Sequence, residues 1–226
     1  MSREIINSII LSGLFLLLFF LAEVLYHKFK VKVELTRKFV HFTTGAITML
    51  FPIMLGNHWF VLLLCASFAF ILIISLKFNL MPSINAIDRK SYGSISYPIS
   101  VYTCYLAYDY YEQNYLFFYL PILILAICDP IAALTGRKWP KGKYIINGDN
   151  KTLLGSSMFF LSAFILCFIF YFVMNKNNFM WLFFINSLII ALFTTITEAI
   201  SSKGFDNITI PLATILLLVA LNMLHT

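Results

Sequence analysis

Apolar residues along this chain fall into eight runs, at about 5–26, 39–55, 58–76, 94–108, 115–135, 153–174, 179–200 and 208–224, with short polar stretches between them. Crossing the hydrocarbon of a bilayer takes about 20 predominantly apolar residues in a helix, so the pattern predicts a polytopic bundle. The fold class expected is all-α, a transmembrane helix bundle of about eight spans. The fourth run is the weakest, being short, rich in serine and tyrosine and broken by Pro98; a seven-span arrangement without it is the alternative. No linker, low-complexity tract or clear internal repeat divides the chain, so residues 1–226 read as a single domain.

Composition narrows the class. With 61% hydrophobic and 12% charged residues, the chain lies outside the range of soluble globular proteins. A net charge of +6 raises the question of nucleic acid. The cations, however, sit in short loops between apolar runs, where membrane orientation explains them and no nucleic-acid partner is needed. Stretches 27–38, 77–93, 136–152 and 201–207 hold 14 of the 16 Lys and Arg residues, leaving Arg3 and Lys176 for the other face. The positive-inside rule then places both termini outside and these four loops in the cytoplasm of, in the expected setting, a bacterial cell membrane. Cys65, Cys104, Cys128 and Cys167 are far apart, without the spacing of a zinc site or a disulfide framework. The first run is longer than the about 7 to 15 residues of a signal-peptide core and shows no small-residue cleavage pattern, so it reads as a retained helix.

The unusual polar residues share the cation-rich face. Asp129 ends an apolar run, and an acid at the edge of hydrocarbon needs a partner or a metal. Beyond it come Gly136, Arg137, Lys138, Lys141, Lys143 and Lys151. Cations beside glycines that allow close backbone approach suit a ligand carrying several phosphates. Arg37, His41 and Gly45 recur at i, i+4 and i+8, one stripe of a helix, with Lys38 flanking it. Asp88 to Gly93 form a short polar run. Lys151, Thr152, Gly155 and Ser156 open the sixth run, where helix N-terminal amides can bind an anion. Thr194, Glu198 and Ser201 share a face of the seventh, followed by Lys203, Gly204, Asp206 and Asn207. Glu198 needs a partner: Arg37, a lysine or a metal.

No Walker A, kinase, zincin, dinucleotide-fold or nucleophile-elbow pattern occurs. Acids, cations and phosphate-friendly glycines at one end of a bundle form the parts list of metal-assisted phosphoryl or nucleotidyl transfer. Five ordered pieces then carry a resemblance: RKFVH at 37–41, RKSYGSISYP at 89–98, DPIAALTGR at 129–137, KTLLGS at 151–156 and EAISSKGFDNITIPL at 198–212. Together they resemble the phytol kinase and dolichol kinase family of lipid-alcohol kinases, which is related to the CTP-dependent phosphatidate cytidylyltransferases. The resemblance implies a multi-pass enzyme moving the γ-phosphate of a nucleoside triphosphate, typically CTP, to a lipid hydroxyl.

It further implies Asp129, Gly136 and Arg137 as an acidic, phosphate-contacting motif, and Lys151, Thr152, Gly155 and Ser156 as a nucleotide loop. Glu198, Asp206 and Asn207 form the last motif. Chemistry of this kind assigns Asp129 to a divalent metal such as Mg²⁺ and Arg37, Arg137, Lys141, Lys143 and Lys151 to phosphates. Glu198 or Asp206 is the base, with His41 a further catalytic candidate. Leu154 replaces the glutamate found before the glycine in many dolichol-kinase-like and cytidylyltransferase-like members, which leans toward the phytol-kinase-like branch. Cytidylyl transfer to phosphatidate and transport of an anionic solute are the alternatives; a transporter would favour midplane charges and inverted repeats, neither of which is found. Oligomeric state and the identity of the lipid alcohol are left open by the sequence. The topology is checked by single-cysteine labelling in a cysteine-free background: position 148 is expected to react from the cytoplasmic side, and labelling from the outer face alone would refute the orientation.

Overall fold

A computed structural model describes residues 3–87, 91–174 and 180–225, with side chains through 221. Asp88, Arg89, Lys90 and Lys176 lie outside the described residues. Helices α1 (Arg3–His27), α2 (Val33–Thr48), the single turn α3 (Phe51–Met54), α4 (His58–Lys77), the short α5 (Pro82–Asn85) and α6 (Gly93–Tyr110) make the first half. In the second half, α7 (Leu116–Leu123) runs through a π-helical turn (Ile124–Cys128) into α8 (Asp129–Lys138). A hairpin of β1 (Lys143–Ile146) and β2 (Asp149–Thr152) follows, then α9 (Leu153–Met174), α10 (Met180–Ile200) and α11 (Asp206–His225).

Seven of the eight apolar runs each fall mainly in one continuous helix and the second is split between α2 and α3, but the expected count of eight spans is not established. Among the described residues, five helices are long and apolar enough to cross a membrane: α1, α4, the continuous Leu116–Lys138 helix, α9 and α10. Helix α2 has 16 residues and begins with a charged turn. The described apolar part of α11 is short of a span, and α6 is too polar.

The position of α6 accounts for its polarity. Ser96, Tyr97, Ser100, Val101, Cys104, Tyr105 and Tyr108 are all buried, so this helix lies inside the bundle, packed between α4 and α11. Its hydroxyls find backbone acceptors there, as buried polar groups must. Tyr105 donates to the Leu55 carbonyl at 2.5 Å, and Ser100 donates to the Asn207 carbonyl. The other inner element is α7 with its π turn, where Phe117, Phe118, Leu120, Ile122, Ile124 and Leu125 are almost wholly buried.

The hairpin is the departure from an all-α fold. Asn147 and Gly148 take φ of 48° and 87°, and two consecutive positive φ values are what a two-residue hairpin turn of the favoured twist requires. Lys143 pairs with Thr152 and Ile146 with Asp149 in antiparallel register. The Asn-Gly pair between KYII and DNKT is the sequence signal for it.

Close helix contacts set the inner geometry. A Cβ built on Gly45 of α2 would lie 2.3 Å from the Ala126 Cβ of the π turn, so only a glycine lets these backbones approach as they do. Gly45→Ala is expected to destabilise the protein by about 1–3 kcal/mol through overpacking, and Ala126→Gly in the same chain to recover most of that. Thermal unfolding in detergent checks this; an unchanged midpoint for Gly45→Ala would refute the contact.

Candidate active site

At one end of the bundle, the first turns of α2, α6, α9 and α11 and the last turns of α8 and α10 surround a polar cavity of about 380 Å³, closed on one side by the hairpin. Arg37, His41, Asp129, Gly136, Arg137, Lys143, Lys151, Thr152, Gly155, Ser156, Glu198, Asp206 and Asn207 all line it. Lys141 does not line it and is exposed. Leu154 is also absent from the lining.

Asp129 anchors the first wall. Lys38, one residue along α2 from Arg37, donates from Nζ to Asp129 Oδ2 at 2.6 Å, and His41 Nε2 lies 3.5 Å from the same oxygen. His41 Nε2 also sits 2.9 Å from the Leu125 carbonyl. A carbonyl only accepts, so Nε2 carries the proton, and in the neutral ring the lone pair is on Nδ1. The π turn makes this possible, because an inserted residue displaces carbonyls from the regular ladder. Lys38 was visible in the sequence only as a flanking residue; its i, i+3 spacing to His41 was the available signal that both reach one partner.

The opposite wall is the Lys151–Glu198 pair. Lys151 Nζ donates to Glu198 Oε1 at 2.7 Å and also to the Glu198 carbonyl. Ser156 Oγ is 3.4 Å from Glu198 Oε2 and 2.8 Å from Tyr144 OH of the hairpin. Of the three partners open to Glu198, the structure places a lysine against it. At the rim, Glu34 lies between two arginines, 2.8 Å from Arg137 Nη2 and 3.8 Å from Arg37 Nη1, and Arg37 also donates to Ser91 Oγ at 3.2 Å. Asp149 of the hairpin accepts the Lys203 backbone N–H at 2.5 Å, tying the hairpin to the α10–α11 connection.

The amides opening α9 are not available to an anion, contrary to the sequence expectation. Leu153 N–H donates to the Gly142 carbonyl and Leu154 N–H to the Lys141 carbonyl. Gly155 N–H donates to Thr152 Oγ1 at 3.0 Å. Thr152 is therefore the N-cap of α9. Gly155 is where α9 meets α8: a Cβ there would lie 3.0 Å from the Ala132 carbonyl, and one on Gly136 would lie 2.6 Å from Thr152 Oγ1. Asn207 is likewise engaged, donating to the Gly93 carbonyl at 2.8 Å and joining α11 to α6.

Charge in the cavity is balanced. Among the described lining residues, Arg37, Lys38, Arg137, Lys143 and Lys151 are matched one for one by Glu34, Asp129, Asp149, Glu198 and Asp206. Asp129, Glu198 and Asp206 are close enough to act on one another electrostatically. Among the described residues, however, no three His, Cys, Asp or Glu side chains gather into a metal cage. That donor set fits a hard divalent ion taking one or two carboxylates from the protein and its remaining ligands from water and phosphate.

A second, apolar cavity of about 100 Å³ adjoins the first between α1, α2, α4 and α6. Phe15, Phe19, Phe51 and Phe68 form its aromatic wall, and Arg37, His41, Gly93 and Asn207 border both cavities.

Fold and site together define a multi-pass helical membrane protein with one charged pocket abutting an apolar slot. Over 185 residues, 81% of this chain, it is 26% identical to a protein named phytol kinase from Synechocystis sp. (strain ATCC 27184 / PCC 6803 / Kazusa), 78% of which is covered. That similarity supports a relationship to the phytol and polyprenol kinases. No family model and no solved structure matches it.

Removing one partner of a buried ion pair leaves the other charge uncompensated, at a cost of about 3–5 kcal/mol. The Lys151 and Glu198 side chains are 12% and 10% exposed, so Lys151→Ala is expected to be strongly destabilising and Lys151→Ala/Glu198→Gln to recover most of the loss. Equal unfolding midpoints for the single and double variants would show that the pair does not act as a unit.

Proposed function

We propose that the protein is a lipid-alcohol kinase that moves the γ-phosphate of a nucleoside triphosphate, CTP with Mg²⁺, to the hydroxyl of a prenol-type lipid. The observation that carries this reading is the junction of a charged cavity with an aromatic slot across Arg37, His41, Gly93 and Asn207. A polyphosphate fits the first and a branched hydrocarbon chain the second, so the two reactants meet at these residues. The relationship to a protein named phytol kinase supports an alcohol acceptor. The aromatic lining of the slot suits a prenyl chain, the kind of acceptor that the relative's name implies.

The charged end faces the cytoplasm in this reading, where nucleotide is available, and the helices outside the five apolar spans also cross, giving eight. Asp129 would hold the divalent ion's protein side. Bound there, the ion would supply positive charge against the phosphates. Arg37, Arg137 and Lys151 bind phosphates by exchanging carboxylate partners for phosphate oxygens, and Lys143 of the hairpin adds a further cation.

Among the acids, Glu198 has both oxygens engaged. The one hydrogen bond of the Asp206 carboxylate among the described residues is to the Asn207 N–H at Oδ1. Asp206 is therefore the better base. Its free oxygen takes the alcohol proton as the lipid oxygen bonds to the γ-phosphorus, the bond from that phosphorus to the bridging oxygen breaks, and the nucleoside diphosphate leaves. His41, held by the Leu125 carbonyl, orients the hydroxyl at the junction.

The test supplies purified protein with Mg²⁺, phytol, short polyprenols or diacylglycerol, and CTP labelled at either the α or the γ phosphate. Label is expected to enter the lipid from γ-labelled CTP with a prenol. Entry from α-labelled CTP with phosphatidate as acceptor would establish cytidylyl transfer instead. Asp129→Asn, whose amide oxygen can still accept from Lys38, is expected to fold normally and to lose turnover by at least about a hundredfold.

A further inference from the structure

We propose that Lys38 is a catalytic residue, the cation that holds the γ-phosphoryl group during transfer; the inference rests on the kinase reading above. Of the other four cations that line the cavity, three are already committed, and the fourth, Lys143, lies on the exposed hairpin. Arg37 is bonded to Ser91 and faces Glu34, and Arg137 is paired with Glu34. Lys151 is spent twice on Glu198.

Lys38 differs. An ammonium has three N–H donors, and among the described residues Lys38 makes a single hydrogen bond, to Asp129 Oδ2. Its side chain is 20% exposed and lines the polar cavity. The bond to Asp129 fixes the ammonium against a buried carboxylate and leaves two donors for a ligand, so the charge is in place before substrate arrives.

Position points the same way. In-line transfer requires the γ-phosphorus to sit between the leaving bridging oxygen and the incoming alcohol, which places it where the two cavities meet. Arg37 and His41, on either side of Lys38 along α2, both border that junction. Lys38 gives up no proton in the step. It donates hydrogen bonds to the equatorial oxygens of the γ-phosphoryl group while the alcohol proton goes to Asp206 and the bridging oxygen departs with the diphosphate.

A contact to the γ-phosphate is read by comparing triphosphate with diphosphate, which needs no turnover. The probe is trinitrophenyl-CTP displaced by unlabelled CTP or CDP, with Mg²⁺, on the full-length protein in detergent. Wild type is expected to bind CTP more tightly than CDP. Lys38→Ala should weaken CTP by about tenfold and leave CDP unchanged, with Lys38→Arg restoring part of the preference. Turnover of Lys38→Ala should fall by about 10²–10³-fold.

If Lys38→Ala does not fold because Asp129 is stranded, Lys38→Ala/Asp129→Asn is compared with Asp129→Asn alone, and the same loss of preference is expected. A CTP-to-CDP affinity ratio unaltered by removing Lys38 would overturn its role while leaving the kinase reading standing. A wild-type protein that binds neither nucleotide would overturn the kinase reading, and the Lys38 role with it.

Discussion

A carboxylate placed within an apolar helix has to be paired, and much of this structure follows from meeting that requirement at Asp129. The residue begins α8 inside the 23-residue apolar stretch Leu116–Lys138 and is buried. An unpaired charge there is expensive. Its partner, Lys38, comes from a helix 91 residues away in sequence, so α2 has to lie against the π turn and α8. That approach is allowed by Gly45, which leaves room for Ala126 one face along. It is reinforced by the imidazole of His41 on the Leu125 carbonyl. One electrostatic demand thus fixes a helix contact, and the helix contact gathers the residues of a site.

Pairing and packing also explain which features were legible in the sequence. The eight apolar runs became helices because length and hydropathy act locally, and the shared face of the polar residues followed from alternating helix direction. Thirteen of the fourteen candidate residues line one cavity for the same reason, Lys141 being the exception. Span count was less legible, because α6 reads as too polar for lipid when its hydroxyls are in fact bonded inside the bundle. The hairpin is signalled locally by Asn147-Gly148, although the lysines in its short strands make the same stretch read as a charged loop. The specific pairs, Lys38 with Asp129 and Lys151 with Glu198, depend on which helices become neighbours, and a single sequence does not encode that locally. The same is true of the amides at the start of α9: their capture by Gly142, Lys141 and Thr152 depends on the path of the preceding loop.

The glycines of this site have a use different from the one their neighbourhood suggested. Gly136 and Gly155 sit beside lysines, as glycines of a phosphate-binding loop do, yet each is a point where α8 and α9 come close. Packing at that contact holds Thr152 and Ser156 at the cavity wall and sets the distance from Lys151 to Glu198. The glycines therefore act on the site through the positions of other side chains, as small residues do where helices meet in a membrane.

The balance of charge in the cavity bears on how a triphosphate could enter it. Five cations facing five acids leave almost no net field to neutralise a ligand that carries roughly four negative charges. A binding event must therefore either bring positive charge with it or release cations from their carboxylates. In the proposed kinase both would occur together, since a divalent ion at Asp129 would add positive charge while Lys151 turns from Glu198 to phosphate. Pairing of Asp129 with Lys38 and of Glu198 with Lys151 leaves neither buried acid uncompensated without ligand. In that reading polyphosphate and divalent ion would each favour the other's binding, because each offsets charge that the other would leave uncompensated.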